Sequence, residues 1–471
     1  MDAAGEDAGP ADAGPDDADG SDAGPADAGP ADGGPADAGS DDAGPIEACP
    51  GGVLAEPTVE YVRAFSGTAN QQVLAATVDS TGALLMTGRN QGRVDFGGGT
   101  LDAGAVHGVF VVKLDSMGRH LWSIQMNDTA DDSEPKGITV DAANNVLVTG
   151  YVKGTIDFGG GAVAPSGSAS AREIFVLKLD PDGGYLWANR YALGTGWGIA
   201  TGAMNSVVVT GQASGTNDFG GGPLTASGQG DVFVLRLTAS GAHFRSRLFG
   251  GSRLDSAYGI DVDATGAVVL TGQSYGGMDF GMGPVGTVGT NYLFVAKLAS
   301  DDSHVFSIIE PGDSAAGHTI AFHPGGDVLL QGDGRGAVSL GGGTLRRFTA
   351  RLGPTGAHRW SRDTNNAPMP RAFGRDGRGS LWIAGGIDPT SAGCAPLASG
   401  RAMFLMRLSE TDGSFLGGRT AVGLASIWSV GVAPDGDVVA AGWVGGTGYD
   451  FGTGPLPATL ANDALAVRYA P

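Results

Sequence analysis

The chain is poor in most of what other folds rely on. It has two cysteines in 471 residues, Cys49 and Cys394, neither in a CxxC or other metal-ligand spacing, which excludes a disulfide framework. A single long-range bridge between them stays open. Only 7% of residues are aromatic and 17% charged, and no stretch carries a heptad or a long amphipathic helical period, so coiled coils and helical bundles are excluded. No apolar run reaches bilayer-spanning length, and Met1-Asp2-Ala3-Ala4 has neither the basic start nor the apolar centre of a signal peptide. Basic charge is scarce as well: 28 Lys and Arg stand against 50 Asp and Glu, a net charge of −22. Binding to nucleic acid or to anionic lipid is driven by neutralising phosphate, so both partners are set aside. A monomer without direct membrane insertion is expected.

Glycine is abundant, at 85 residues, and is distributed in two ways. Residues 1–45 cycle through units such as Ala11-Asp12-Ala13-Gly14-Pro15 and Ala26-Asp27-Ala28-Gly29-Pro30, and residues 1–56 hold fifteen acids and no base. Like charges repel, Pro and Gly break regular structure, and almost no apolar surface offsets chain entropy, so residues 1–56 are expected to be a disordered acidic leader. It reads either as a stalk or as a solubilising tail.

From residue 57 onward glycine punctuates a repeat. A short strand ends in glycine at Gly88, Gly150, Gly211, Gly272, Gly332, Gly385 and Gly442, preceded by a small residue in every copy but the fifth, where Gln331 stands, giving seven copies of roughly 50–62 residues. The second copy shows the parts. Gly137 to Asp141 is a first strand, Val146 to Gly150 a second, Ile174 to Leu179 a third and Tyr185 to Tyr191 a fourth, each separated by Gly, Asn, Asp or Pro clusters. The third strand recurs as Val109-Phe110-Val111-Val112-Lys113-Leu114, Val232 to Leu237, Leu293 to Leu298 and Met403 to Leu408. It is apolar on both faces, as a sheet covered on both sides requires. Four-stranded sheets at this period, stacked around an axis, are the blades of a β-propeller. The last copy stops after its third strand, Ala464 to Tyr469, while Val59 to Phe65 is an unmatched strand before the first. Pairing the two would close the ring and remove two sheet edges. The fold expected for residues 57–471 is all-β, a seven-bladed propeller with six or eight blades as the fallback.

A VDxxG-type turn, a TG-ended second strand, a DFGGG loop, an FVxKLD strand and a following Trp, as across Val140 to Trp187, resemble the bacterial β-propeller-repeat family called SBBP. The likeness is specific in copies one to four. It weakens in copy five, where Ser339-Leu340-Gly341-Gly342-Gly343 replaces the loop motif, and copy six lacks the motif. The resemblance implies a secreted or lipid-anchored surface protein of unassigned activity, with an extracytoplasmic or cell-surface location. It supplies no catalytic residues.

Candidate chemistry is sparse. Asp95, Asp157, Asp218, Asp279 and Asp450 each precede Phe-Gly. A ring of them could hold calcium, but equivalent loops lie about 10 Å apart, too far to share an ion. Each is instead expected to accept backbone N–H groups within its own loop, with Phe filling the gap between blades and the glycines at positive φ. The third strands carry Lys113, Lys178, Arg236, Lys297, Arg351, Arg407 and Arg468; such buried bases need partners, and the loop Asp is the first candidate. His120, His243, His304 and His358 begin fourth strands, too far apart to converge on one metal. His318 and His323 fall in the first strand of copy five, where they could line the channel, with no Ser, Cys or Glu nearby to make them catalytic. Among loops joining fourth to first strands, Asp128, Asp131, Asp132 and Glu134 form an acidic stretch, and Trp197 and Asp255 lie in the next two; these are the candidate ligand contacts. The loop carrying Cys394 and the segment carrying Cys49 are expected on opposite faces, which disfavours their pairing unless the leader reaches around.

No cofactor or catalytic site is expected. The reading is a non-enzymatic scaffold presenting a loop face to a protein or polysaccharide. The alternatives are a propeller hydrolase or lyase with an axial active site and a structural cell-surface component. Aromatics lining the loop face would favour glycan binding. Paired acid and histidine at the axis would favour the enzyme.

Overall fold

In a computed structural model the described residues are 57–130, 132–168, 170–191, 193–363, 372–387, 402–422, 425–446, 449–451, 453–454, 456 and 462–471. The leader and both cysteines lie outside them. The described residues form seven four-stranded antiparallel sheets arranged as a closed propeller. Blade 1 is Gln71–Val78, Leu84–Asp95, Thr100–Leu114 and His120–Asn127, from the axis outward. Blades 2 to 6 repeat this order. Blade 7 takes Ala425–Val432, Val438–Val444 and Asp463–Ala470 from the end of the chain and Thr58–Phe65 from its start. The register of that closing pair runs from Val59 opposite Tyr469 to Phe65 opposite Ala464. Seven blades are therefore present, joined without a free sheet edge between first and last.

The core lies between the sheets, as seven hydrophobic clusters, one for each pair of neighbouring blades. This arrangement accounts for the continuously apolar third strand. In blade 1, Phe110, Val112 and Leu114 pack toward blade 7 while Val109 and Val111 pack toward blade 2. Alternate side chains of one strand enter two different cores.

The DFGGG segments do more than turn the chain. In blade 2 Ile156–Asp157 pairs with Ala162–Val163 and in blade 3 Thr216–Asp218 pairs with Pro223–Thr225, so each segment is a small accessory hairpin. Radiating sheets diverge toward the rim, and the hairpin fills the wedge they leave. Phe96 sits 5.1 Å from Phe65 of blade 7 and 4.9 Å from Phe110 of its own blade, and Phe219 sits 5.3 Å from both Tyr191 and Phe233. Asp95 Oδ1 accepts the N–H groups of Gly97 and Gly99 at 2.7 and 3.1 Å, and Asp157, Asp218 and Asp279 repeat the pattern. Asp450 accepts the N–H of Gly454 at 3.1 Å. The hairpin tip folds onto the first residue of the outer strand, so that Gly98 leaves no room for a Cβ beside His120, nor Gly221 beside His243. His120, His243, His304 and His358 each have Nε2 within 3.0–3.1 Å of a serine Oγ three residues on: Ser123, Ser246, Ser307 and Ser361.

The third-strand bases have other partners than the loop aspartates. Lys113 Nζ lies 2.9 Å from Asp79, Lys178 2.8 Å from Asp141, and Arg351 Nε 2.8 Å from Asp327, all in first-to-second turns of the same blade. The reason is topological. Lys113 is one residue from the end of its strand, opposite Leu85 at the start of the second strand, whereas Asp95 ends that second strand on the other face. The same bases latch blades together. Lys113 and Trp122 Nε1 both donate to Pro181 O of blade 2, Lys178 and Trp187 both to Ala239 O of blade 3, and Arg351 and Trp360 both to Glu410 O of blade 6. Arg236 instead reaches Asp302 of blade 4 at 2.7 Å.

Candidate functional site at the axial mouth

The inner strands contain a repeated irregularity that shapes the centre of the ring. In the six blades where this part of the inner strand is described, the pairing slips by one residue, between Val73 and Ala75, Pro135 and Gly137, Gly196 and Gly198, Ala257 and Gly259, Gly317 and Thr319, and Ile427 and Ser429. These are one-residue β-bulges. The extra residues are Leu74, Lys136, Trp197, Tyr258, His318 and Trp428, all half-buried. Each stands fourteen positions before the glycine that marks its copy; the corresponding residue of blade 6, Arg371, lies outside the described residues.

That glycine is there because of the bulge. A Cβ on Gly88 would sit well inside contact distance of Gln72 O, and the same holds at Gly150 with Glu134 O, Gly211 with Thr195 O, Gly272 with Ser256 O and Gly442 with Ser426 O. At Gly332 the gap to Ala316 O is 2.6 Å. Gly385, its counterpart in blade 6, pairs with Phe404 of the third strand. The threonine before the glycine donates to the third strand, Thr87 to Phe110 O at 2.8 Å and Thr210 to Phe233 O at 2.7 Å. A second set of glycines lets neighbouring inner strands approach: a Cβ on Gly137 would lie 2.9 Å from Trp197 O, and one on Gly259 would lie 3.0 Å from His318 O.

The bulge side chains of blades 2 to 5 touch in sequence around the axis. Lys136 Nζ lies 4.4 Å from the centre of the Trp197 ring, Trp197 meets Tyr258 edge-on at 5.2 Å, and Tyr258 stacks on His318 at 6.3 Å. Trp197 Nε1 is buried and lacks a hydrogen-bond partner among the described residues. Bulges fall early in each inner strand, so this arc lies toward the face where fourth strands connect to first. In blades 1 to 5 the residue following the repeat glycine is polar: Arg89, Tyr151, Gln212, Gln273 and Asp333. Asp333 Oδ1 is 3.4 Å from His318 Nε2.

The acidic stretch forms a charge-balanced flank. Lys153 and Arg172 pair with Asp132, and Lys136 pairs with Glu134 at 2.8 Å, with Arg89 3.7 Å from the same carboxylate. Tyr151 donates to Asp132 at 2.8 Å, and burial, reinforced by Glu134, pushes its hydroxyl pKa far upward, so it stays a donor. Burial also opposes ionisation of Asp132, but the bonds from Lys153 and Tyr151 more than offset it and hold that carboxyl below its usual value. Asp128 accepts the N–H of Ala130 and the hydroxyl of Ser133, and so shapes its own turn. Asp131 lies outside the described residues. Asp255 is fully buried and accepts the N–H of Gly251 at 2.7 Å; burial, with Asp231 nearby, pushes its carboxyl up. Among the described residues no three His, Cys, Asp or Glu side chains gather into a metal site.

Two sequence expectations are corrected here. Trp197, placed in a loop, belongs to the inner strand Gly194–Thr201 and points to the axis only because of the bulge. His323 is outside the inner strand, which ends at Phe322; it sits in the following turn with Nε2 3.1 Å from Glu410, an acid brought from blade 6. Tyr258 and Trp428 were not singled out by sequence reasoning. The fourteen-residue offset from each repeat glycine is the signal that would have found them.

No family model matches the chain, and no curated protein matches it in sequence. Solved structures do resemble it in fold. U3-55K aligns over 88% of this chain and 99% of its own at 11% identity with a TM-score of 0.49. A streptogramin B lyase aligns over 87% and 97% at 12% identity and 0.44, and the Neurospora crassa Pan2 WD40 domain over 88% and 98% at 7% identity and 0.45.

Proposed function

We propose that this protein is a non-enzymatic binding scaffold that receives a protein or polysaccharide at the axial mouth on the face where fourth strands join first strands. The observation that carries the reading is the run of bulge residues Lys136, Trp197, Tyr258 and His318, four consecutive blades each aiming one side chain at the same axis. A fold that needs only a closed core gains nothing from half-exposed aromatics there, whereas ligand sites in ring scaffolds are concave, aromatic and sparsely polar. The sequence motifs of copies one to four support placing the chain with SBBP-type repeats, and with that an extracytoplasmic or cell-surface location behind an acidic leader. Binding of the full chain to arrays of glycans and of secreted proteins, compared with a Trp197→Ala and Tyr258→Ala double variant, tests the reading. Unchanged binding in the double variant, or none by either protein, removes it. Protease accessibility on intact cells tests the location.

One observation favours a second reading. His318 and Asp333 bring imidazole and carboxylate within 3.4 Å at the mouth, as a general acid or base of a hydrolase or lyase requires. Mass spectrometry of any bound glycan after long incubation, with wild type and His318→Asn, decides it; product formed by wild type alone establishes the enzyme.

A further inference from the structure

Resting on the binding reading, we infer that the axial mouth is a saccharide site and that its ligand is a neutral oligosaccharide, stacked on Trp197 and Tyr258. Four features of the mouth point to this class. The first is the aromatic lining: on three successive blades Trp197 meets Tyr258 edge-on at 5.2 Å and Tyr258 stacks on His318 at 6.3 Å, and the C–H faces of pyranose rings pack on aromatics. The second is the chemistry behind the rings. Gln212 and Gln273, half-buried in the second strands of the same blades as Trp197 and Tyr258, carry amides that both donate and accept, as hydroxyl groups need; Gln212 Nε2 already donates to Ser214 Oγ at 3.4 Å, which leaves its carbonyl oxygen to accept. The third is Trp197 Nε1, buried without a partner, a donor whose desolvation is offset once a ligand oxygen accepts from it.

The fourth is charge. Around the arc, Lys136 is matched by Glu134, and Lys153 and Arg172 face Asp132, which itself takes a hydrogen bond from Tyr151. A uronate or sulfated chain would have to compete with carboxylates already bound to these bases, and a cationic ligand would have to displace the lysine already lying over Trp197. A neutral hydroxylated ring displaces no ion pair; to stack on the indole face under Lys136 it has only to move aside an ammonium that Glu134, 2.8 Å away, continues to hold. The third-strand bases offer no substitute anion site, because Lys113, Lys178 and Arg351 are held in latches between blades on the opposite face and Arg407 is tied to Asp376 and Ser380 of its own blade.

The test is calorimetric titration of the full chain with cello-, xylo-, manno- and chito-oligosaccharides of four to six units, beside polygalacturonate and hyaluronan fragments. Binding of at least one neutral series is expected, little changed by added salt, and weakened about tenfold or more in Trp197→Ala and in Tyr258→Ala, with Trp197→Phe retaining most of it. Gln273→Ala, a half-exposed position, serves where an aromatic variant fails to fold and is expected to weaken binding without a change in thermal midpoint. Neutral binding that survives all these variants overturns the site while leaving a scaffold that binds elsewhere. Binding of only acidic glycans, or of a protein but no glycan, at a mouth sensitive to Trp197 overturns the ligand class and leaves the binding reading standing. Silence toward every glycan and every protein overturns both.

Discussion

Excising Thr58–Phe65 from the full chain tests whether ring closure holds the fold. The strand contributes Tyr61 and Phe65 to the core between blades 7 and 1, and Val59, Val62 and Ala64 to the core between blades 6 and 7. Burying an aromatic of this size is worth roughly 1.5–3 kcal/mol, so the two rings alone contribute about 3–6 kcal/mol. That is comparable to the lower end of the roughly 5–15 kcal/mol by which a typical domain is stable. Excision also leaves Asp463–Ala470, a strand buried almost throughout, as an open edge ready to pair with another chain. Phe96 loses the neighbour 5.1 Å away that wedges it in place. Urea unfolding followed by near-ultraviolet circular dichroism, with light scattering after size exclusion, should show a large drop in midpoint together with association. A synthetic peptide of residues 57–65 should restore both. A monomeric excised chain with an unchanged midpoint would refute the argument, because closure would then add nothing measurable.

Other outcomes follow from the latches and the buried acids. Lys113→Met should cost about 3–5 kcal/mol by leaving Asp79 buried without its counter-ion, while Lys113→Met with Asp79→Leu should recover most of that, read as a double-mutant cycle in urea. Burial opposes ionisation of Asp79 and Asp141, but their bonds from Thr81, Lys113, Lys178 and Asn145 prevail and lower both carboxyls. A folded-state value below the unfolded one gives stability that is present above the ordinary carboxylate range and is lost as pH falls through the lowered value, so the urea midpoint should decline on acidification below about pH 4. Asp255 has the opposite sign: its raised carboxyl favours the protonated form, and the stability linked to it is lost as pH rises through that raised value. Asp255→Asn should therefore stabilise the protein at neutral pH, with the gain shrinking in acid; a variant equally stable at both pH values would disprove this.

Much of the architecture was legible because its signals are local and repeated. The doubly apolar run Val109 to Leu114 reports two cores by itself, and an unmatched strand at each end of the repeat array reports closure. The partners of buried charge were not legible in the same way. Whether Lys113 meets Asp79 or Asp95 depends on which end of the second strand each carboxylate hangs from, and both aspartates occur at fixed places in the repeat. The Lys113–Trp122–Pro181 latch crosses between blades, where spacing within one copy says nothing. His323 and Glu410 are 87 residues apart and meet only because blades 5 and 6 are neighbours. The axial residues escaped for a subtler reason: alternation along an inner strand sends side chains into the two flanking cores, and only a bulge breaks that alternation.

That break separates what the ring requires from what it can vary. The backbone carbonyl just before each described bulge presses onto the repeat glycine, so the glycine is fixed by geometry wherever the bulge occurs. The bulge residue itself enters neither core and changes freely, from Leu74 through Lys136, Trp197, Tyr258 and His318 to Trp428. A paired experiment on blade 1 isolates the distinction. Gly88→Ala, the smallest change available, should cost about 1–3 kcal/mol or more, since its Cβ would collide with Gln72 O and sit 2.8 Å from the Phe110 ring, neither of which can retreat. Leu74→Trp, a far larger change fourteen residues earlier, should alter the unfolding free energy read from urea titration by less than about 0.5 kcal/mol, the range of surface substitutions. Should the order reverse, with the tryptophan damaging and the alanine harmless, the bulge would not be aiming its residue away from the packed interfaces, and the axial arc would lose its structural basis.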